Sequence, residues 1–196
     1  MKDKSILFSG PMIRAILNEN KTMTRRVMKP QYDVVSCFDG RFCSAIRTED
    51  DVEMGDEIKC PYEVGQKLWV RETWWFNEGL PVYRADAPPE IEKDTGWWKP
   101  SIFMPRKYSR ITLEVTDIRA ERLQEITEED CWAEGIKKEV CLDCDALSLM
   151  HLNDEEHYYN PIPKYRKLWD KLNAKRGFGW DTSPWVWVVS FKMVNQ

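Results

Sequence analysis

The segment Trp185–Val194, which reads WVWVVSFKMV, constrains the fold more than any other part of the chain. Side chains alternate between the two faces of a strand, so Val186 and Val188 face away from the aromatic residues beside them. Both faces are therefore apolar, which is typical of a strand that is covered on both sides. We predict a central strand here, in a sheet against which other elements pack on both faces.

The rest of the chain alternates short helical and extended patterns. An apolar stripe at helical spacing predicts a helix after Pro11, and Asn18 and Asn20 are expected to end it. Thr127 predicts the start of a second helix, and Pro163 that of a third. Strands are predicted at residues 67–73, 82–85 and 110–116. These elements favour the α+β class with short flanking helices and a barrel-like sheet.

Two stretches with weak periodicity are interpreted as insertions. They cover residues 31–62 and 137–162, approximately, and the first is expected to contain a hairpin around Asp39-Gly40. The length of 196 residues suits one domain that carries such insertions. We therefore expect a single domain over residues 1–196.

Composition limits the classes of function. The net charge of −4 argues against a general binder of polyanions, so a nucleic-acid site must be a local basic patch. No apolar run approaches the roughly 20 residues needed to cross a bilayer, and no signal peptide is recognised. We expect a cytoplasmic protein with no membrane partner, whose six Cys residues are reduced thiols. The sequence does not predict an oligomeric state.

Several Cys residues are candidate metal ligands. Cys141 and Cys144 form a C-x-x-C pair, which Cys37, Cys43 or Cys60 could complete as a zinc site. His151 and His157 are further candidate ligands at loose spacing. Because no second C-x-x-C exists, the sequence favours free thiols, and we expect neither a metal nor a cofactor.

The segment Lys21–Arg26, which reads KTMTRR, carries the densest set of chemically active side chains. A Lys beside two fixed positive charges should have a lowered pKa, which suits a general base, and a neighbouring Thr hydroxyl can serve as a nucleophile. The two guanidinium groups can grip a phosphate. The alternative is an exposed polar strand on a solvated edge of the sheet.

This segment resembles the K-T-x-T-x-R signature of the ASCH superfamily, which is related to the RNA-binding PUA domains. Further stretches are similar to family segments in the same order: residues 62–70, 111–115, 126–136 and 188–191. Segments such as LWVRETW at residues 68–74 and WKPS at residues 98–101 are most similar to ASCH proteins carried by phages and prophages. The resemblance implies a PUA-like mixed β-barrel. Where the family has Gly two residues before the Lys, this chain has Glu19.

Some bacterial ASCH proteins are amidohydrolases that remove the acyl group from N4-acetylcytidine. Matched by motif, their catalytic set falls on Lys21, Thr24 and Glu134, which implies a base, a nucleophile and a group that orients or activates water. In a regular strand Lys21 and Thr24 would point to opposite faces. A working pair therefore requires that Lys21 lie in the turn before the strand, or that a bulge separate the two.

A second group of residues is predicted to bind substrate or nucleic acid. Exposed Trp side chains can stack on unpaired bases while Arg side chains contact phosphate, and single-stranded RNA fits this better than duplex. The predicted binding residues are Arg25, Arg26, Arg71, Glu72, Trp97, Trp98, Arg106 and Arg110. For Arg71 and Glu72, the alternative is that they pair with each other.

Four functions remain open from the sequence. The first is an ASCH protein directed at RNA or a modified nucleoside, with an amidohydrolase activity at Lys21, Thr24 and Glu134. The second is a non-catalytic RNA-binding module of the same fold, the third is a ribonuclease of phage origin, and the fourth is a role in phage structure or assembly.

Overall fold

A computed structural model of the protein describes residues 2–37, 42–49, 52–88, 97–137 and 160–194. Its main sheet contains β1 (Lys4–Leu7), β2 (Met23–Val27), β6 (Lys67–Arg71), β9 (Thr112–Arg122) and β10 (Trp185–Val194). The strand order is β1-β6-β9-β10-β2, in which β1 and β6 are parallel and the other neighbours are antiparallel. The sheet is therefore mixed, as expected. Within the described ranges no ladder joins β1 to β2, so the sheet is open rather than a closed barrel.

Strand β10 lies between β9 and β2, and this confirms the prediction of an interior strand. Val186 and Val188 are fully buried in one apolar cluster, whereas Val189 and Phe191 are buried in a second cluster on the opposite face. The two-sided apolar pattern of the sequence thus divides the core into two layers, one on each side of the sheet.

In the described ranges, three α-helices accompany the sheet: α1 (Gly10–Leu17), α2 (Glu128–Ala133) and α3 (Ile162–Asn173). Pro11 lies in the first turn of α1, and the Thr127 hydroxyl accepts a hydrogen bond from the amide of Asp130 at 3.2 Å, as the capping pattern predicts. α1 contributes to the apolar layer that contains Val189, and α2 and α3 contribute to the layer that contains Val186. The helices therefore cover opposite faces of the sheet.

Both α1 and α2 end in a Schellman motif. After α1 the amide of Asn20 donates to the carbonyl of Ala15, and the amide of Glu19 donates to that of Ile16. Glu19 itself takes the left-handed conformation, with φ of 59°, whereas Asn18 stays in the negative range at −89°. The helix ends at Leu17 with Asn18 as its C-cap, as expected for Asn18, but the left-handed residue is Glu19, between the two Asn residues.

The corresponding motif after α2 places Gly135 in the left-handed conformation, with φ of 90°. The amide of Ile136 donates to the carbonyl of Cys131, and the amide of Gly135 donates to that of Trp132. The two helix ends meet, because the amide of Thr22 donates to the carbonyl of Ala133 at 2.8 Å.

Outside the main sheet the chain forms two smaller ones. β3 (Val34–Cys37), β4 (Phe42–Glu49) and β5 (Val52–Lys59) make an antiparallel sheet within the first expected insertion. The predicted turn at Asp39-Gly40 lies outside the described residues, although β3 and β4 do pair on either side of it. β7 (Trp74–Asn77) and β8 (Leu80–Tyr83) form a hairpin.

Several predicted boundaries shift. The strand expected at residues 82–85 lies at Leu80–Tyr83, and Arg84–Asp86 forms a 3-10 turn instead. The strand expected at residues 110–116 extends to Arg122 as part of β9. Most of the second expected insertion, residues 138–159, lies outside the described ranges. In the part of the chain that is described, no helix is both long and apolar enough to cross a membrane.

Candidate functional site

Lys21 lies in the connection between α1 and β2, where it pairs with Glu134 in an isolated antiparallel bridge. Its ammonium donates to the carbonyl of Met23 at 2.7 Å, to the main-chain carbonyl of Glu134 at 2.8 Å and to a carboxylate oxygen of Glu134 at 2.6 Å. Because β2 begins only at Met23, Lys21 precedes the strand. The first of the two arrangements that a Lys21–Thr24 pair requires is therefore the one observed.

The Lys21 side chain is buried, with only 2% of the residue exposed. Burial lowers the pKa of its ammonium, and Glu134 opposes this by favouring the charged form. The sequence predicts a lowered pKa from the like charges of Arg25 and Arg26. In the structure these two charges do lower the pKa of Lys21, but they are smaller causes than burial. Thr24 is also buried, so the alternative of an exposed polar strand does not hold at these two residues.

The second carboxylate oxygen of Glu134 faces two other groups. The hydroxyl of Tyr165 donates to it at 3.4 Å, and a guanidinium nitrogen of Arg25 lies 3.5 Å away. Burial, together with the charge of Glu134, raises the pKa of Tyr165 well above its ordinary value, so this phenol stays protonated as a donor. Glu134 is thus buried with partners on both oxygens, which is the arrangement that a carboxylate inside a protein needs.

Arg25 is enclosed by acidic partners. Its guanidinium donates to Glu121 and to Asp130, each at 2.5 Å, and its side chain is fully buried. Arg119 binds the same two carboxylates from the protein surface. Burial alone would raise the pKa of Asp130, but the two Arg residues hold it below the ordinary value. Contact of Arg25 with a phosphate stays a prediction, and in the structure its guanidinium binds two acids.

A pocket of about 320 Å³ opens beside this cluster. Thr24 and Glu134 both line it, and Lys21 touches it only through Glu134. In the part of the chain that is described, the Thr24 hydroxyl makes no side-chain hydrogen bond. The remaining lining residues are Met12, Arg25, Arg26, Val27, Tyr165, Leu168, Trp169, Leu172, Asn173 and Arg176. Two residues of the predicted catalytic set, Thr24 and Glu134, thus line one pocket, and the third, Lys21, binds Glu134.

The other predicted binding residues are spread over the surface. Arg26 lines the pocket, and its guanidinium donates to the carbonyl of Leu7 and lies over the ring of Phe8. Arg71 lies over the ring of Trp69 and donates to a main-chain carbonyl. Neither Arg26 nor Arg71 has an acidic partner among the described residues.

Glu72 and Arg110 form a buried pair away from this pocket. The Arg110 guanidinium binds both oxygens of Glu72 at 2.8 and 3.0 Å, and it also binds Asp86. Arg71 is therefore not the partner of Glu72, and Arg110 is already committed to two carboxylates. The expectation that Glu72 and Arg110 contact a ligand directly is not supported by these contacts. Arg106 binds Asp3 at the surface.

The Trp residues of the predicted binding surface differ in exposure. Trp97 is 57% exposed, and its ring packs edge-on against that of Trp75 at 5.2 Å. Trp98 is half-buried. Lys99 lies over the ring of Trp74, and exposed Lys107 lies over Tyr108. We call Trp75, Trp97, Lys99 and Lys107 the aromatic patch.

Sequence reasoning missed several members of the site. The acids that enclose Arg25 lie about a hundred residues later in the chain, and no local pattern links them to it. Tyr165, Leu168, Trp169 and Leu172 are spaced as one face of helix α3. Tyr165 and Trp169 are buried, but Leu172 is 47% exposed and, with Leu168, lines the pocket. The apolar stripe of α3 is longer than the part of the helix that the core covers, and this excess was the signal in the sequence that its far end could line a pocket.

Two Cys residues can be described. Cys60 and Cys131 are buried free thiols, and burial raises their pKa values to about 11 and about 12. Cys141, Cys144, His151 and His157 lie outside the described residues. In the ranges that are described, no group of three or more His, Cys, Asp or Glu residues could hold a metal ion.

The fold and the site define an α+β protein with a buried Lys–Glu pair at the head of an open pocket. No protein-family model matches the sequence, and no curated protein matches it either. One solved structure is similar, that of an ASCH domain from Lactobacillus crispatus JV V101. The similarity covers 100% of this chain and 81% of that chain, with a TM-score of 0.45 and 10% sequence identity.

Proposed function

We propose that the protein is a hydrolase of N4-acylated cytidine, free or in RNA, with Thr24 as nucleophile. The observation that carries this proposal is that Thr24 and Glu134 line one pocket, while the Lys21 ammonium binds Glu134 from behind it. The resemblance of the KTMTRR segment to the ASCH signature supports the substrate class.

The proposed reaction has two steps. The Thr24 oxygen bonds to the acyl carbon, and its proton passes through the Lys21 amine to the departing N4, so that cytidine leaves. Water then cleaves the Thr24 ester and releases the carboxylic acid. A protonated Lys21 uses all three N–H groups on Met23 and Glu134 and cannot accept a proton. The active form must therefore have a neutral Lys21 amine, which the lowered pKa favours.

The test is release of cytidine from N4-acetylcytidine by the purified protein. Thr24→Val keeps the shape of this buried side chain and removes the nucleophile, so turnover should disappear. Thr22→Val is the matched control, because Thr22 is exposed and lies two residues earlier. Absence of turnover in the wild type, or equal turnover in both variants, would reject the proposal.

A second candidate function rests on the aromatic patch. The exposed Trp97 ring suits stacking on an unpaired base, and the exposed Lys99 and Lys107 offer cations for the phosphates of the strand. We propose, as the alternative, that the protein binds single-stranded RNA at this patch without catalysis.

A further inference from the structure

Among the strands that the structure describes, β2 is an edge strand, so one side of its backbone has no neighbour there. In an antiparallel ladder, residues alternate between those that bond to the neighbour and those whose N–H and C=O point away. The amide of Met28 donates to Trp185, and the amide of Phe191 donates to the carbonyl of Thr22. Even-numbered residues of β2 therefore face β10, and Met23, Arg25 and Val27 direct their N–H and C=O groups to the open edge.

A contact on the open edge agrees with this assignment. The carbonyl of Met23 accepts a hydrogen bond from the Lys21 ammonium, which approaches from the side away from β10. Beyond Met23, the groups left on this edge are the N–H and C=O of Arg25 and of Val27. Neither residue has a main-chain partner on this side among the described residues. Both residues line the pocket, so the open edge forms one of its walls.

The pocket has an apolar side chain on each side of this edge. Thr24 pairs with Val189, and Arg25 pairs with Val188, so the two side chains lie on opposite faces of the sheet. Met12 packs with the layer that contains Val189, whereas Leu168 packs with the layer that contains Val188. A ligand that bonds to the strand edge therefore lies between Met12 and Leu168. Such a slot fits a flat ring.

We infer that the open edge of β2 reads the base of the ligand through main-chain hydrogen bonds. The carbonyl of Arg25 would accept the N–H of an exocyclic amino or acylamino group, and the amide of Val27 would donate to the adjacent ring nitrogen. Cytosine carries this pair as N4–H and N3. The inference rests on the proposed function for its choice of a nucleoside, and it adds how that nucleoside is selected and held.

The size of the site favours a nucleoside over a peptide strand. A volume of about 320 Å³ lies at the lower end of the roughly 300–1,000 Å³ that small-molecule pockets occupy. Addition of a β-strand needs a longer free edge, and here the Lys21 ammonium already occupies the carbonyl of Met23. Only the groups of Arg25 and Val27 are left.

The test measures binding of cytidine, which cannot be deacylated, so its result does not depend on catalysis. The wild type should bind cytidine at least about tenfold more tightly than 3-deazacytidine, which lacks the ring-nitrogen acceptor and leaves a donor unpaired. Val27→Pro removes the amide in question, and proline is tolerated where the N–H of an edge strand faces away from the sheet. In this variant the two nucleosides should bind equally.

Val27→Ala is the matched control, because it shortens the side chain and keeps the amide. It should retain the preference for cytidine. If Val27→Pro fails to fold, the amide proton of Val27 in the wild type gives the same information by NMR. It should shift strongly on addition of cytidine and little on addition of 3-deazacytidine.

Equal binding of the two nucleosides by the wild type, or no binding of either, would overturn the inference. If an extended peptide protects the Arg25 and Val27 amides and cytidine does not, this edge binds a peptide strand and not a base, which would also overturn the inference. Specific cytidine binding without any deacylation would reject the proposed function and leave this inference standing.

Discussion

The Lys21 ammonium lies 2.6 Å from the carboxylate of Glu134, although 113 residues separate the two in sequence. Each residue follows the end of a helix that closes with a Schellman motif, and the two ends bring the side chains together inside the protein. Lys21 also donates to the main-chain carbonyl of Glu134, so it satisfies an otherwise unpaired group at the end of α2. The same contacts that would position a catalytic amine therefore hold the fold together.

Lys21→Met should destabilise the protein strongly, because it leaves the Glu134 carboxylate buried without its closest partner. Breaking a buried ion pair from one side costs about 3–5 kcal/mol of unfolding free energy. The double variant Lys21→Met/Glu134→Gln should recover much of that loss, because no charge is then left unpaired at this position. Urea unfolding measures both, with the exposed Lys175→Met as control. A single variant as stable as this control would contradict the expectation.

Gly135→Ala should disturb the same pair through backbone and packing. Gly135 has φ of 90°, and an added Cβ would lie 3.0 Å from the Cβ of Ala15 and 3.1 Å from that of Lys21. We expect a loss of more than about 1 kcal/mol in unfolding free energy. Gly79→Ala is the control, because Gly79 has φ of 83° with open space around it. The excess loss at Gly135 measures the clash with Ala15 and Lys21 together, and equal losses would show that backbone strain alone matters.

Glu19→Gly should stabilise the protein. A left-handed conformation disfavours residues that have a Cβ, and Glu19 takes it with φ of 59° at the position where glycine most often ends a helix. The greater freedom of glycine in the unfolded chain offsets only part of the strain that is relieved, so we expect a net increase of about 0.5–1 kcal/mol. Glu19→Ala, which removes the charge and keeps the Cβ, should show no such gain in thermal unfolding. A destabilised Glu19→Gly would show that the Glu side chain contributes more than strain costs.

Local patterns in the sequence predicted the elements well. The apolar faces of Trp185–Val194, the cap at Thr127 and the helix after Pro11 each depend on neighbours in the chain, and each was found where it was predicted. The short strand β1 was missed because KSIL carries too few residues to set a period. Sheet order was not predictable, since it depends on which distant strands pair.

In the candidate site, too, the sequence predicted what local motifs carry and missed what depends on distant contacts. The KTMTRR motif identified Lys21 and Thr24, and family resemblance supplied Glu134. The sequence could not distinguish the role of Arg25 from that of Arg26, because these roles depend on which face of the sheet each side chain lies on. Arg25 turns toward the acids on β9 and α2, whereas Arg26 turns toward Phe8. Adjacent identical residues thus acquire different roles because their side chains lie on opposite faces of the sheet.

RNA binding at the aromatic patch should depend steeply on salt. The protein has a net charge of −4, so affinity for a polyanion must come from local cations, whose contacts with phosphate release counterions. Trp97→Ala should weaken binding of a single-stranded oligonucleotide by about 1–3 kcal/mol through the loss of stacking. Fluorescence anisotropy at two salt concentrations measures both effects, with exposed Phe103→Ala as control. Affinity that is insensitive to salt and to Trp97 would exclude this surface.

The hydrolysis rate should rise with pH, because the active form contains the neutral Lys21 amine. Burial lowers the pKa of Lys21, so the rise should centre below the roughly 10.4 of a free Lys side chain.

The lowered pKa of Lys21 also makes stability depend on pH. Between the pKa of Lys21 in the folded protein and its ordinary pKa in the unfolded chain, only the unfolded chain carries the proton on this amine. Lys21 therefore makes stability increase with pH in that window. Cys131 and Tyr165, whose pKa values are raised, act with the opposite sign above about pH 9. The difference in unfolding free energy between the wild type and Lys21→Met therefore isolates the Lys21 contribution. The wild type should gain stability relative to the variant as pH rises, and its kcat/KM for N4-acetylcytidine should rise over the same interval. A rate that is flat or falls with pH, while this stability difference grows as expected, would mean that Lys21 titrates in the pocket without serving as the base.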